Sequence, residues 1–172
     1  PKNLGFAGGN NIGAREAKGD FVVFLNNDMW VDPDLVRNLV STLRVFPKAR
    51  CVGAKILNWD GTKFDFAGYA YQEGAGELFS PTRHNQAKEI LFACGGAMLI
   101  DRQLFLEVGG FDEDYFALYE DLDLGWRLWV LGHQVVFAPD AIAYHRHHGT
   151  LDSFSSYRRQ VLLKSNALRT VL

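Results

Sequence analysis

Cysteine is scarce in this chain, with only Cys51 and Cys94 among 172 residues. Two isolated thiols make neither a disulfide framework nor a metal knuckle, so the sequence points to a reducing, cytoplasmic setting. Charge of one sign is also lacking: 18 Lys+Arg face 20 Asp+Glu, a net charge of −2. A nucleic-acid-binding surface would be basic, and no nucleic-acid partner is expected. No stretch approaches the roughly 18–20 consecutive apolar residues of a membrane span, and no signal peptide opens the chain. Repeats, low-complexity tracts and charge runs are absent. So is an initiator Met: the chain begins Pro1-Lys2-Asn3-Leu4-Gly5, which reads as a loop inside a fold, and ends in the helical pattern Asn166 to Leu172 with no stop signal. The expectation is a piece of a longer protein.

What is present is the composition of a globular domain, 48% hydrophobic and 22% charged. A single domain of this length buries about 70% of its unfolded surface, enough for a real core. Residues 6–17 read as a helix stopped by Gly19. Phe21 to Leu25 is a short apolar run with the character of a buried parallel strand. Asp32-Pro33 opens a helix that runs to about Phe46 with Leu35, Leu39, Val40 and Leu43 on one face. Cys51 to Leu57 is a second strand, closed by the turn Asn58-Trp59-Asp60-Gly61. Gly74 to Ala87 is polar and Gly-containing, the pattern of a mobile loop or lid, and Leu91 to Ile100 is strand-like. Asp101 caps a helix over 102–108, and Glu120 to Leu131 is a helix stopped by Gly132. Strands follow over Gln134–Ala138 and Ala141–Tyr144, then an amphipathic helix over Ser155–Leu172. Strands alternating with helices give an α/β layered fold.

Four clusters carry candidate chemistry. Asn26-Asn27-Asp28 directly follows the first strand, where open α/β sheets place ligands, and Asp28 could hold a divalent cation; an Asn/Asp turn that merely ends a strand has the same sequence. Glu120, Asp121 and Asp123 stand together at a helix start. They can complement the helix dipole, or one can serve as a general base. Trp126, Trp129 and Leu122 are expected to turn this helix towards the core. His145-Arg146-His147-His148 follows a strand and offers a metal ligand, or is an accidental surface cluster; zinc is disfavoured because no Cys pair stands near. Asn3 to Asn11 is a Gly/Asn loop before a helix that could present N–H groups to phosphate, without P-loop spacing.

In combination and order these segments resemble the family 2 glycosyltransferases of GT-A fold, most closely the bacterial rhamnosyltransferase type. The resemblance runs through Asn3-Leu4-Gly5-Phe6 to Asn11, Ala17-Lys18-Gly19, Phe24-Leu25-Asn26-Asn27-Asp28, Gly95-Gly96-Ala97-Met98-Leu99-Ile100, Val108-Gly109-Gly110-Phe111-Asp112-Glu113, Tyr119-Glu120-Asp121-Leu122-Asp123-Leu124 with Arg127, and Tyr144-His145. It implies a Rossmann-like domain with a mixed, mostly parallel sheet flanked by helices. The chain would be an incomplete domain: a donor and metal segment over 1–60, an acceptor and catalytic segment over 88–150, and the C-terminal helix over 155–172. The family's first strand and helix would precede Pro1.

By the same resemblance, the activity is inverting transfer of a sugar from a nucleotide-diphosphate sugar to a hydroxyl of a glycan or lipid-linked glycan, assisted by Mn²⁺ or Mg²⁺. Asp121 is the implied base, with Asp123 second and Glu120 orienting the acceptor. Asp28 and His145 are the implied metal ligands, Asn11, Lys18, Asn26 and Asn27 lie near the donor, and Gly95, Gly96, Trp126 and Arg127 serve the acceptor side. Where the family has an Asp-X-Asp motif this chain has Asn26-Asn27-Asp28, with a single carboxylate. A sugar- or nucleotide-binding remnant without turnover is the competing reading, and a nucleotidyltransferase a third. Arg158, Arg159, Lys164 and Arg169 would suit peripheral association with the inner face of the cell membrane, or simply a solvated helix face.

Overall fold

The structure is a computed structural model describing residues 3–61, 63–66, 75–146 and 155–171. Its elements in chain order are α1 (Gly5–Glu16), β1 (Phe21–Leu25), β2 (Met29–Val31), α2 (Leu35–Val45), β3 (Ala49–Asn58), β4 (Phe64–Phe66), β5 (Lys88–Glu89), β6 (Ala97–Asp101), α3 (Arg102–Glu107), a 3₁₀ turn (Glu113–Tyr115), α4 (Glu120–Val130), β7 (Gln134–His145) and α5 (Ser156–Val171). The strands form one mixed sheet in the order β1-β6-β3-β7-β2, with β4 also on β3 and β5 also on β7.

The sheet is mixed and flanked by helices, as the resemblance implies, but it is not mostly parallel. Among the described residues only β3 and β7 pair in parallel; β1–β6, β3–β6, β2–β7, β3–β4 and β5–β7 are all antiparallel. The long central pair explains why the sequence reads as a parallel sheet. In β3 every residue from Cys51 to Leu57 is buried, as is every residue of β7 from Val135 to Pro139. Such unbroken apolar runs are what strands covered on both faces require. β1 is instead the outer strand of the described sheet, and its ends, Phe21 and Leu25, are about 40% exposed.

The sequence predicts two strands, Gln134–Ala138 and Ala141–Tyr144, parted at Pro139-Asp140. β7 in fact continues through it as a bulge: Ala54 faces Ala138, and the next residue, Lys55, faces Ile142. The carbonyl of Asp140 in this bulge accepts a hydrogen bond from Asn38 Nδ2 on α2. α2 begins at Leu35, two residues after Pro33, with Asp32 Oδ1 accepting from Asp34 N at 2.9 Å. Asp101 caps α3 as expected, its Oδ1 accepting from Leu104 N at 3.0 Å. Residues 91–96 form a loop, and the strand predicted there is confined to Ala97–Asp101. The first part of the predicted lid, up to residue 74, lies outside the described residues. Among the described residues no helix is long and apolar enough to cross a membrane.

Phe24, Phe105 and Phe111 pack ring against ring with centroids 5.0–5.2 Å apart, joining β1, α3 and the loop after it. This packing, with the fully buried Phe137 and Leu128, sets the frame on which the candidate site is built.

Candidate active site

The turn after β1 is closed by Met29 N donating to Asn26 O at 3.2 Å. It leads into β2, a strand too short to show a period in the sequence. β2 runs antiparallel to the end of β7 with Met29 opposite His145 and Trp30 opposite Tyr144. That register places the Asp28 side chain at the His145 imidazole, with Oδ2 3.3 Å from Nε2. Arg146 N donates to Asp28 O at 3.1 Å, fixing the two chain ends to each other. The resemblance names Asp28 and His145 together, and the β2–β7 pairing is what brings the two side chains to each other.

The loop Cys94–Gly96 connects this pair to α4. Asn26 N donates to Gly96 O at 2.9 Å, and Gly95 N donates to Asp121 Oδ2 at 3.0 Å. Both glycines are favoured by close packing rather than by φ. A Cβ on Gly96 would lie 2.7 Å from Met29 Cε and 3.1 Å from Asn26 Nδ2, and one on Gly95 would lie 3.0 Å from the Phe6 ring. Asn27 is exposed on the same turn.

Asp121 receives a second bond from Leu122 N to Oδ1 at 2.9 Å. Its pKa is nevertheless raised, because burial outweighs the stabilisation from those N–H groups. The adjacent Glu120 is 6% exposed, and its Oε2 is buried without a hydrogen-bond partner. Burial first, and then the charge of Asp121, push the Glu120 carboxyl up to about 8. Two neighbouring carboxyls are thus held above their ordinary range, and one of them, Asp121, meets the glycine loop that also bonds to Asn26, an environment more typical of proton transfer than of helix capping. The N-cap residue Tyr119 makes no side-chain cap bond.

Asp123 is placed elsewhere. It lies about 200° around the helix from Asp121 at 100° per residue and pairs with Arg127, Nη2 to Oδ2 at 2.7 Å. Arg127 also donates to Val108 O and Gly110 O, both at 2.8 Å. The pair ties α4 to the loop after α3, away from the Asp121–Gly95 contact. Trp129, not Trp126, faces inward, its Nε1 donating to Ile90 O at 3.0 Å. Trp126 is 53% exposed and does not share the Asp121 face. Asn11 is 3% exposed and spends its amide on Phe111, accepting from its N at 2.9 Å and donating to its O at 2.8 Å. It is a structural clamp between α1 and the loop at 111, not a donor contact. Lys18 is exposed ahead of Phe21, at the opposite end of β1 from Asn26, a separation of about 16 Å for a five-residue strand. His147 and His148 lie outside the described residues.

The sequence reading missed Trp59 and Arg146. With Asn27, Asp28 and Met29 they line a cleft of about 420 Å³. Trp30 stacks flat on Tyr144 at 3.9 Å between ring centroids, Trp59 meets Trp30 edge-on at 6.3 Å, and the Arg146 guanidinium sits 5.8 Å from the Trp59 ring. Trp59 was visible only as part of a turn, and nothing local to that turn tells that it faces Asp28. The cleft could hold a metal between a carboxylate and an imidazole. Among the described residues no group of three or more His, Cys, Asp or Glu could do so alone. Two converging ligands, one hard oxygen and one nitrogen, fit Mn²⁺ or Mg²⁺ when ligand oxygens complete the shell.

The profile of the family described as "Glycosyltransferase like family 2" matches residues 2–169. The chain is 33% identical over 139 residues to the O-antigen biosynthesis protein RfbC of Myxococcus xanthus, covering 74% of this chain and 11% of that protein. It is 29% identical over 149 residues to the N-acetylglucosaminyl-diphospho-decaprenol L-rhamnosyltransferase of Mycobacterium tuberculosis, covering 76% of this chain and 48% of that protein. The chain thus spans half the length or less of these curated relatives. Among solved structures it resembles GalNAc-T7 bound to UDP, GalNAc and Mn²⁺, with a TM-score of 0.65 and 18% identity over 86% of this chain and 31% of that one. That likeness assigns the GT-A fold.

Proposed function

The chain belongs to glycosyltransferase-like family 2, and on that premise we propose that it transfers a hexosyl unit from a nucleoside-diphosphate sugar to a hydroxyl of a glycan or lipid-linked glycan, with inversion. The observation that carries this reading is the Gly95 N–H to Asp121 bond, which joins a buried, raised carboxyl to the same loop that abuts the Asn26–Asp28 turn.

Asp121 accepts the proton of the attacking hydroxyl. Its raised pKa makes it a stronger base than an exposed aspartate, while the two backbone N–H groups keep it oriented. Asp28 and His145 would hold a divalent cation, which when bound neutralises charge growing on the leaving diphosphate. Glu120, buried beside Asp121 with its carboxyl pushed up to about 8, keeps a second carboxyl at the base and would help set its proton affinity. Trp59, 48% exposed at the cleft mouth, offers a flat apolar face to a sugar ring. Because a protein carboxylate acts as base and the sugar is displaced directly, no covalent intermediate is required.

The test is transfer by the intact protein from a panel of nucleoside-diphosphate sugars, with Mn²⁺, Mg²⁺ or EDTA, and NMR assignment of the product anomer. Asp121→Asn is expected to lower turnover about 10²–10⁴-fold while donor binding stays within a few fold. Full activity of that variant removes Asp121 as the base, and retention of configuration removes direct displacement. Donor binding without turnover in the wild type identifies a binding module instead.

A further inference from the structure

The segment that delivers Glu120 and Asp121 to the site has an unusual backbone. Phe116, Leu118 and Tyr119 have φ of 60°, 74° and 73°, and none of them is glycine. Side chains disfavour that half of φ space, and such residues persist only where the surroundings over-determine them. They occupy three of the four positions immediately before Glu120, so whatever holds them also sets where α4 begins.

The holding group comes from the far end of the chain. Asn166 on α5 is 2% exposed, and its Nδ2 donates to Leu118 O at 2.7 Å, Ala117 O at 2.9 Å and Tyr115 O at 3.1 Å. Three carbonyls converge on one amide nitrogen because the chain coils through positive φ. In an ordinary extended or helical run they would diverge. Neighbouring contacts support the same coil. Tyr115, fully buried, shares a hydrogen bond with Thr170 at 2.8 Å, Arg169 pairs with Asp114 at 2.7 Å, and Phe116 O accepts from Phe6 N at 2.7 Å. The sequence shows Asn166 only as a polar residue in a helix.

We propose that Asn166 is a positioning residue: it pins the coil at 115–119 and thereby sets the start of α4, which holds Glu120 buried and Asp121 against the Gly95 amide. This rests on the reading of Asp121 as base, and it extends the site to α5, which touches none of the reacting groups. Asp, with no N–H to donate, would set an acceptor against three acceptors. Leu is of similar volume and donates nothing. Gln keeps the donor one methylene further out.

The experiment compares wild type with Asn166→Leu and Asn166→Gln in the intact protein. Expected for Leu is a loss of kcat of about 10- to 100-fold with donor KM within twofold, and partial recovery in Gln. Loosening the coil also admits water to Glu120, so its titration, read by NMR, moves down from about 8 towards the ordinary carboxyl range. Hydrogen exchange is expected to quicken at residues 116–121 and stay unchanged in β3 and β7. Leu with wild-type kcat and an unmoved Glu120 titration overturns the proposal. So does a uniform rise in exchange across the sheet, which marks a general stability role. If the wild type transfers no sugar at all, the glycosyltransfer reading fails, and the Glu120 titration and local exchange still decide whether Asn166 positions the pair.

Discussion

Glu120 sits in an environment that its type disfavours, 6% exposed and with Oε2 buried without a hydrogen-bond partner. A carboxyl with a higher pKa folded than unfolded binds its proton more tightly when folded. Stability therefore falls as pH rises from about 4.5 to about 8, and the penalty is complete above that. Glu120→Gln keeps the shape and removes the ionisation. Its unfolding free energy, read by denaturant titration, is expected to match wild type near pH 4.5 and to exceed it at pH 8.5 by up to about 5 kcal/mol. Equal stability of the two proteins across that range would show that Glu120 is not held protonated. Such a cost, kept beside a raised Asp121, is what a functional site shows and an optimised core does not. Cys51 departs in the same direction for a simpler reason. Its thiol is pushed up to about 12 by complete burial in β3, which makes it inert.

At the scale of elements, α4 is placed by what its residues lack as much as by what they contact. A Cβ on Gly125 would lie 2.5 Å from both Leu91 O and Phe92 Cβ, so α4 rests directly on the loop that leads to Gly95. Gly125→Ala is expected to cost about 1–3 kcal/mol by overpacking, read as a lower chemical-denaturation midpoint. An unchanged midpoint would mean that the 91–96 loop yields without cost. The helix itself was legible from Glu120 to Leu131, because its stop at Gly132 and its apolar spacing are local signals. Its orientation was not. Trp126 and Trp129 have the same character in sequence, and only packing on Ile90 selects the second for burial. The three acids were equally ambiguous. The helix rotation that aims Asp121 at Gly95 sends Asp123 to Arg127.

At the scale of the whole molecule, the candidate site is where two distant parts of the chain close on each other. Asp28 and His145 meet through the β2–β7 pairing. A nucleoside diphosphate with Mn²⁺ is therefore expected to raise the melting temperature, by an amount equivalent to about 2.7 kcal/mol at a hundred times its dissociation constant. Either component alone should give much less, because two protein ligands leave most of the coordination shell to diphosphate oxygens and water. Asp28→Ala and His145→Ala should each abolish the joint effect. A shift that survives both substitutions would place the metal elsewhere.

The sequence by itself determined the layered α/β class, the helix boundaries to within a few residues, and the short motifs that resemble a family. Those follow from local periodicity, capping and turn chemistry. Strand direction and side-chain company were decided only in three dimensions. A buried strand is apolar whether its neighbours run parallel or antiparallel, so the sequence could not show that, among the described strands, β3 and β7 alone pair in parallel. Asn11 and Asn166 resemble donor contacts or surface amides until backbone carbonyls a hundred or fifty residues away come to meet them. The lack of a charge excess of either sign, of a cysteine framework and of long apolar runs bounded what the chain could be. Long-range pairing chose which of its polar residues face one another, because a hydrogen bond between distant residues leaves no local trace in either.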